Sequence, residues 1–256
     1  MSILAGKIVF QPEIQTARDM RSNSDIVRKM VWGSEISHKE EKTRIAAVIA
    51  GKAKNGEVIG VGSGSTSYLT LCALAERRQR EQLSLMVIPT SIEISMACWQ
   101  LGIPVTTLNE YLPDWTFDGA DEIDPRCNLI KGRGGAMFKE KLLIRSSPRV
   151  YILGDSSKRV ERLGERFPVP VEIVPFSLSV VEQSLSHLSP QRVELRMAEG
   201  KDGPVITESG NLILDVWFGQ ITSGLEQAIK SITGVVESGL FLEYTNVEAI
   251  YGEGCG

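Results

Sequence analysis

The sequence predicts an α/β fold, with a Rossmann-like, mostly parallel sheet and a second, smaller α+β domain. Between residues 38 and 154, short apolar runs alternate with helical patterns, which is the order expected of βαβ units. After the segment FPVP (167–170) this alternation stops and extended segments follow one another. Because Pro168 and Pro170 suit a boundary, we expect the two domains to meet there.

The first domain begins with a helical pattern at 38–52, in which Ile45 and Ile49 belong to the apolar face. The dipeptide Asn55-Gly56 marks a turn before VIGVG, which predicts a short buried strand. The remaining predicted elements are helices at 66–79, 92–101 and 136–146 and strands at 85–88, 105–108, 116–117 and 150–154.

The second domain is predicted over 169–240. Its pattern is an extended PVEIVPF, a helix at 177–188, antiparallel strands through VELRMA, VITESGN and LILDVWF, and a helix at 225–232. The segment VEAIYG then predicts a final strand of the first sheet, so the first domain comprises 38–168 and 241–256. Residues 1–37 are interpreted as an N-terminal extension with a helix at 24–32.

Composition limits the function classes. The chain has 256 residues, of which 42% are hydrophobic and 23% charged, as in ordinary globular proteins. A net charge of −4 disfavours a nucleic-acid partner, and no run approaches the roughly 20 apolar residues of a membrane span. The apolar segment SILAGKIVF is short and lacks the features of a signal peptide. We therefore expect a cytoplasmic protein.

The positions of the cysteines and histidines do not favour a disulfide framework, a metal site or a histidine-based catalytic triad. The four cysteines are widely spaced without a CxxC pair, which argues against a disulfide framework and a zinc site. The two histidines, His38 and His187, lie far along the chain from the main cluster of charged residues. A Ser–His–Asp triad or a histidine-based metal site is therefore not predicted.

The segment GVGSGST (60–66) lies between a predicted strand and a predicted helix. Its glycines expose backbone N–H groups, and Ser63, Ser65 and Thr66 add hydroxyl groups at a helix N-terminus, where the dipole favours an anion. It lacks both the lysine of a P-loop and the third glycine of GxGxxG. The segment indicates a phosphate cradle, and an N-capped turn without a ligand is the alternative.

The segment DGADEID (118–124) follows the predicted strand at 116–117 in the same way. Its aspartates could form Asx turns or hold a divalent metal ion. Since Lys131 and Arg133 would compete with a cation there, hydrogen bonds to sugar hydroxyl groups fit Asp118 and Asp121 better.

The segment KGRGGAMFKEK (131–141) combines a lysine, a glycine loop that lets the backbone approach a ligand, and Glu140 on a predicted helix. Lys158 in DSSK and the pair Thr90-Ser91 also follow predicted strands. Because open α/β sheets bind ligands at the carboxyl ends of their strands, these groups are expected to converge on one edge.

Seven motifs occur in the order and spacing of one family, which the chain resembles over residues 38–252: GVGSGST, DGADEID, KGRGGAMFKEK, GDSSK, PVPVEIVPF, ESGNLILD and GVVESGLF. The family is the A-type ribose-5-phosphate isomerases. The resemblance implies interconversion of ribose 5-phosphate and ribulose 5-phosphate in the pentose phosphate pathway. It also implies that the enzyme needs no metal or cofactor, and that it is a homodimer or homotetramer.

By the same resemblance, Glu140 is the general base, Lys131 the cation beside the enediolate, and Asp118 and Asp121 the carboxylates that bind the sugar and assist ring opening. The residues it places at the substrate are Lys42, Ser63, Gly64, Ser65, Thr66, Gly119, Ala120, Gly132, Arg133, Gly134 and Lys158.

The chain departs from the family pattern in three places. Arg133 stands where many members have glycine, Glu93 stands where glutamine is frequent, and residues 1–37 have no counterpart. A different phosphosugar substrate is therefore an open alternative.

Two other functions are less favoured. A sugar-phosphate deaminase or lactonase would use a histidine, which these motifs lack. A non-catalytic sugar-phosphate sensor would need a DNA-binding module and would have no use for a base such as Glu140.

Overall fold

The computed structural model describes residues 35–252. The helix predicted at 24–32 and Cys255 lie outside this range. The helices are α1 (Lys39–Ala50), α2 (Ser65–Glu81), α3 (Ile92–Leu101), α4 (Met137–Ser146), α5 (Leu178–Ser186) and α6 (Leu225–Lys230). Two short 3₁₀ turns cover Ser156–Lys158 and Pro175–Ser177.

In residues 35–252, twelve strands form three sheets. They are β1 (Val58–Val61), β2 (Met86–Pro89), β3 (Trp115–Gly119), β4 (Glu122–Ile123), β5 (Leu129–Ile130), β6 (Val150–Gly154), β7 (Val169–Ile173), β8 (Arg192–Leu195), β9 (Leu212–Trp217), β10 (Val235–Ser238), β11 (Leu240–Phe241) and β12 (Val247–Tyr251).

The first sheet has the order β12-β6-β3-β1-β2, and all of its neighbouring strands are parallel. Its central strands are buried and apolar, as expected of a sheet covered by helices on its faces. Side chains such as Ile49, Leu71, Val61 and Phe117 belong to one core between helices and sheet. The predicted parallel sheet is confirmed, including the return of the C-terminal segment as β12 beside β6.

The second sheet has the order β10-β7-β9-β8 and is antiparallel. Val171 and Val216 from its strands pack in one core with Val181 and Leu185 of α5 and Ile229 of α6. This agrees with the predicted α+β character of the second region. The division of the chain into domains 38–168 with 241–256 and 169–240 stays a prediction.

A third sheet, β11-β5-β4, is antiparallel and was not predicted, because its strands have two residues each. Leu240 pairs with Ile130, and the backbone N–H of Lys131 donates to Gly239 O over 2.9 Å. This small sheet therefore sets the position of Lys131, which directly follows β5.

Two predicted strands are wrong. At 105–108 only Val105 forms an isolated parallel bridge, to Val87, because the chain turns at Thr107, whose carbonyl accepts from the N–H groups of Glu110 and Tyr111. The segment VITESGN (205–211) is a loop.

In that loop the side chains of Thr207 and Asn211 donate to Glu172, and Gly210 turns with a φ of 79°. These side-chain bonds take the place of a strand ladder.

Within residues 35–252, no helix combines the length and the apolar character that crossing a membrane requires.

Candidate active site

An open cavity of about 380 Å³ lies where strands of the parallel sheet end. The segments that follow β1, β3 and β6 and the turn after β5 contribute to its wall. Every residue that the resemblance places at the site lines this cavity except Asp118, which is buried directly behind the wall. Thr90 and Ser91, which were expected at the same edge, do not line it. Its volume suits a small phosphorylated ligand.

Lys131, Asp118 and Glu140 form a buried charged group. The ammonium nitrogen of Lys131 lies 2.9 Å from Asp118 Oδ2 and 3.2 Å from Glu140 Oε2, and it donates to Gly119 O over 2.5 Å. The exposed fractions of the three side chains are 3% or less for Lys131 and Asp118 and 6% for Glu140. One lysine therefore holds two carboxylates that are 22 positions apart in sequence.

The two ion pairs are incomplete as hydrogen bonds. Asp118 Oδ2 and Glu140 Oε2 are within ion-pair distance of Lys131 but outside hydrogen-bond angles, and neither accepts a hydrogen bond from another described residue. Buried acceptor atoms are rarely left in this condition. Both atoms have unused acceptor capacity beside a cavity.

The backbone explains why Asp118 fits behind the cavity. It lies in β3, and its Oδ1 accepts a hydrogen bond from Gly119 N over 2.7 Å. A Cβ atom at Gly62 would meet the Asp118 carboxyl carbon at 1.9 Å. Gly62 is therefore required for space, because the carboxyl group of Asp118 occupies the volume of its missing side chain.

Glu140 lies in the first turn of α4, which begins at Met137. Its N–H donates to Ala136 O over 3.0 Å. This short distance from the start of the helix brings the carboxylate close to the glycine turn that precedes it.

Burial controls the electrostatics of this group. Burial, and then the Asp118 carboxylate, raise the pKa of Glu140 to about 8, while Lys131 opposes the shift. Burial also raises the pKa of Asp118 against the opposing effect of Lys131. Burial disfavours the Lys131 ammonium, but the two carboxylates outweigh it, so the pKa of Lys131 lies above its usual range. Glu140 can therefore exchange a proton near neutral pH while Lys131 stays charged.

The glycine turn 132–135 forms a second part of the wall. Gly132 and Gly135 have φ of 101° and 80°, which glycine adopts without strain, and Gly135 N donates to Gly132 O over 3.0 Å. Arg133 N donates to Asp121 Oδ2 over 3.0 Å, while the Arg133 side chain is largely exposed. Asp121 thus supports the turn and also faces the cavity.

The GVGSGST segment turns from β1 into α2, with Gly64 at a φ of 93°. Ser63 Oγ and Thr90 Oγ1 share a hydrogen bond of 2.8 Å, and Ser65 Oγ accepts from Lys42 Nζ over 3.3 Å. The loop therefore lies at the N-terminus of a 17-residue helix, next to a buried lysine.

The buried carboxylate of Asp155 contacts Lys42 and the turn that carries Lys158, at the end of the cavity next to the GVGSGST segment. Asp155 Oδ2 lies 3.5 Å from Lys42 Nζ, and its Oδ1 accepts from the N–H of Ser157 in the 3₁₀ turn that carries Lys158. Burial lowers the pKa of Lys158. Burial would raise the pKa of Asp155, but hydrogen bonds from Ser157 and the charge of Lys42 outweigh it, so that pKa is lowered. This end of the cavity is suited to an anion.

Three further residues that the sequence did not predict line the cavity wall, namely Glu35, Ser37 and Leu153. Ser37 Oγ accepts from Lys42 Nζ over 3.3 Å, so the end of the N-terminal extension belongs to the site. No sequence motif marks these residues. Glu93, noted as a departure from the family pattern, also lines the cavity.

Over residues 35–252, no group of three or more histidine, cysteine, aspartate or glutamate side chains is arranged to hold a metal ion.

Comparison with known proteins shows which family has a similar sequence. Residues 86–256 match the model of the family described as ribose 5-phosphate isomerase A (phosphoriboisomerase A). The ribose-5-phosphate isomerase A of Thermosynechococcus vestitus is 42% identical over 218 residues, which cover 84% of this chain and 92% of that protein. The Methanocaldococcus jannaschii protein of the same name is 41% identical over 214 residues, covering 83% and 94%.

Solved structures agree. The ribose 5-phosphate isomerase A of Methanocaldococcus jannaschii superposes with a TM-score of 0.80 at 40% identity, covering 83% of this chain and 95% of that one. A D-ribose-5-phosphate isomerase in complex with phospho-erythronic acid gives 0.79 at 35% identity, covering 84% and 95%. The chain belongs to the ribose 5-phosphate isomerase A family.

Proposed function

We propose that this chain interconverts D-ribose 5-phosphate and D-ribulose 5-phosphate, with Glu140 as the base that moves the proton. The observation that carries the proposal is the environment of Glu140. Its carboxylate is buried in the cavity wall 3.2 Å from the Lys131 ammonium, and burial raises its pKa to about 8. A base with a pKa near the working pH is effective in proton transfer.

The chemistry follows from the positions of the three charged groups. Glu140 removes the proton from C2 of the open-chain aldehyde, and the electron pair forms an enediolate across C1 and C2. Returning that proton to C1, while the proton of the C2 hydroxyl passes to the C1 oxygen, gives the ketose. Lys131 stabilises the negative charge that grows on oxygen, a contribution of about 2.7–4 kcal/mol where single donors of this kind have been removed.

Asp118 and Asp121 are proposed to bind the sugar and to assist ring opening. Asp118 Oδ2 has unused acceptor capacity, and Asp121 faces the cavity with its Oδ2 bound to the turn at Arg133. An acceptor of this kind can take the proton of the anomeric hydroxyl group when the ring opens. Gly119 and Ala120 supply backbone between the two carboxylates.

The phosphate group is proposed to occupy the opposite end of the cavity. Lys42 and Lys158 provide positive charge there, and Ser63–Thr66 provide N–H and hydroxyl donors at the start of α2. This arrangement supports a phosphosugar rather than a neutral sugar as the substrate.

The complex of the related isomerase with phospho-erythronic acid supports the same assignment. Phospho-erythronic acid has a phosphate at one end and a carboxylate at the other. Its carboxylate is planar with negative charge on two oxygens, as is an enediolate. A site with cations near both ends of the cavity is complementary to such a molecule.

We also propose a cytoplasmic homodimer or homotetramer that needs no metal ion or cofactor. Exposed apolar side chains at Val174, Phe176 and Val180 in the second region support self-association, and Phe176 is 100% exposed. Light scattering coupled to size-exclusion chromatography measures the number of subunits. A monomer would contradict this part of the proposal.

The test is conversion of ribose 5-phosphate to ribulose 5-phosphate by purified protein in EDTA, for the wild type and for Glu140→Gln. We expect metal-independent turnover in the wild type and a loss of about 10²–10⁴ in kcat for the variant, because the amide cannot take the proton. Glu182→Gln, the same change at an exposed position on α5, is the matched control and should keep wild-type turnover.

Near wild-type kcat in Glu140→Gln would refute the role of Glu140. If the wild type has no activity on ribose 5-phosphate, the substrate assignment is wrong, and other phosphosugars should be tested. Glu93→Gln and Arg133→Gly would then be the first variants to examine.

A further inference from the structure

We infer that Arg196, a residue of the second region, is a positioning residue that fixes the glycine turn 132–135 so that the Gly134 N–H group faces the substrate. The inference rests on the proposed function and adds a residue that lies outside the cavity wall. Arg196 directly follows β8, and its N–H donates to Ile213 O over 2.9 Å, which continues the ladder to β9.

The guanidinium group of Arg196 makes four hydrogen bonds in two directions. Its Nε and Nη2 donate to Asp215 of β9 over 2.9 and 2.5 Å, which is a bidentate ion pair. Its Nη1 donates to Gly132 O and to Arg133 O, each over 2.9 Å. Asp215 fixes the plane of the guanidinium, and that plane fixes two consecutive carbonyl groups of the turn.

These carbonyl contacts determine where the N–H groups of the turn point. In a trans peptide the N–H points opposite to the C=O of the same plane. The N–H paired with Gly132 C=O belongs to Arg133, and it points to Asp121 Oδ2, on the side away from Arg196. The N–H paired with Arg133 C=O belongs to Gly134, and it points away from Arg196 by the same rule.

Gly134 lines the cavity, and among residues 35–252 its N–H donates to no protein acceptor. It is therefore a free donor beside Lys131. A donor fixed before the substrate binds stabilises charge that develops on oxygen without reorganisation.

The turn needs an external anchor because three of its four residues are glycine. Glycine has the largest conformational freedom of any residue, and Gly132 and Gly135 already use left-handed conformations here. Lysine could not replace Arg196, since an ammonium group lacks the planar fork that binds a carboxylate and two carbonyls at once.

The test compares Arg196→Lys with Arg192→Lys, a control on the same region that lies at the exposed start of β8 and stacks on Trp217. We measure kcat and KM for ribose 5-phosphate and the inhibition constants of phospho-erythronic acid and inorganic phosphate.

For Arg196→Lys we expect kcat to fall about tenfold or more and phospho-erythronic acid to bind about tenfold more weakly. Inorganic phosphate should bind within about twofold of wild type, because among the described residues neither Lys42 nor the Ser63–Thr66 segment is hydrogen-bonded to Arg196 or to the turn. Arg192→Lys should match the wild type.

Wild-type kcat and inhibition constants in Arg196→Lys would overturn the inference. Equal weakening of both inhibitors would also overturn it, because that result indicates general loss of structure. If Arg196→Lys does not fold, Asp215→Asn, which keeps the guanidinium but weakens its anchor, should show the same selective loss to a smaller extent, and no selectivity there would refute the claim. If the wild type lacks isomerase activity, the proposed function fails, and selective weakening of phospho-erythronic acid measured by calorimetry still tests Arg196 independently.

Discussion

Two buried lysines, ten positions apart, have the same kinds of partner, namely two carboxylates and one backbone carbonyl. Lys131 meets Asp118, Glu140 and the carbonyl of Gly119, while Lys141 meets Glu226, Glu237 and the carbonyl of Leu240. The ring of Phe241 lies near both ammonium groups, at 5.9 Å from Lys131 and 4.5 Å from Lys141. Composition alone does not distinguish the two groups.

The two lysine groups differ in how completely they are hydrogen-bonded. All three contacts of Lys141 are hydrogen bonds, of 2.8, 3.0 and 2.7 Å. Lys131 makes one, and its two carboxylates keep unpaired oxygens. Burial would raise the pKa of Glu237, but Lys141 and the N–H of Ser238 outweigh it and that pKa is lowered, whereas the pKa of Glu140 is raised. The satisfied group joins α4 to β10 and α6, and the unsatisfied group faces the cavity.

The largest expected effect is on stability, from Lys141→Met. The change leaves Glu226 and Glu237 without their cation, and breaking a buried pair in this way costs about 3–5 kcal/mol of unfolding free energy. Urea unfolding measures the loss. The double variant Lys141→Met with Glu237→Gln should recover part of it, because one buried charge is removed; no recovery would contradict the role of this group as a structural tie.

Lys131→Met is expected to act on catalysis instead. If Lys131 is the cation beside the enediolate, as proposed, its loss should cost about 10²–10³ in kcat, equivalent to about 2.7–4 kcal/mol of transition-state stabilisation. Its unfolding free energy should fall less than that of Lys141→Met, since the two carboxylates are not fully hydrogen-bonded in the wild type. Steady-state kinetics and urea unfolding of both variants test this. Equal destabilisation by the two substitutions would remove the distinction between the groups.

A third expected effect is on the pH dependence of stability. Folded Glu140 keeps its proton up to a pH of about 8, while the unfolded chain loses it near 4.5, so this residue makes stability fall as pH rises between those values. The pKa of Glu237 is lowered from 4.5, so its contribution is present above that pH and is lost as the pH falls through its folded pKa.

Unfolding free energies of the wild type, Glu140→Gln and Glu237→Gln between about pH 4 and 9 separate the two contributions. In Glu140→Gln the unfolding free energy should decline less as the pH rises toward 8. In Glu237→Gln it should decline less as the pH falls below about 4.5. A decline that is unchanged in Glu140→Gln would show that another group causes it.

Much of the fold could be predicted because its signals are local. The helix at Ile92–Leu101 and the strand at Val150–Gly154 have the predicted bounds, since apolar periodicity and N-capping by Ser91 depend on neighbouring residues. The strands β4, β5 and β11 could not be predicted, because two-residue strands have no periodicity.

The site was predictable where motifs follow strands, since parallel strands bring their carboxyl ends to one edge. What could not be predicted depends on long-range contacts. The sequence KGRGGAMFKEK contains both Lys131 and Lys141, but which lysine is fully hydrogen-bonded is decided by Glu226, Glu237 and Leu240, about a hundred positions away. Arg196 also contacts the glycine turn from 64 positions away in sequence. Ser37 lies only five positions before Lys42, but no motif marks it.

The contact between Gly62 and Asp118 has a consequence for the evolution and engineering of this chain. Because a Cβ at position 62 would lie 1.9 Å from the Asp118 carboxyl carbon, a substitution at one of the two positions restricts which residues the other can hold. Gly62→Ala should be tolerated only on a background with a smaller residue at position 118, which has lost the carboxylate. The effect of a substitution at position 62 thus depends on the residue 56 positions later, and redesign of the GVGSGST loop should keep this glycine unchanged.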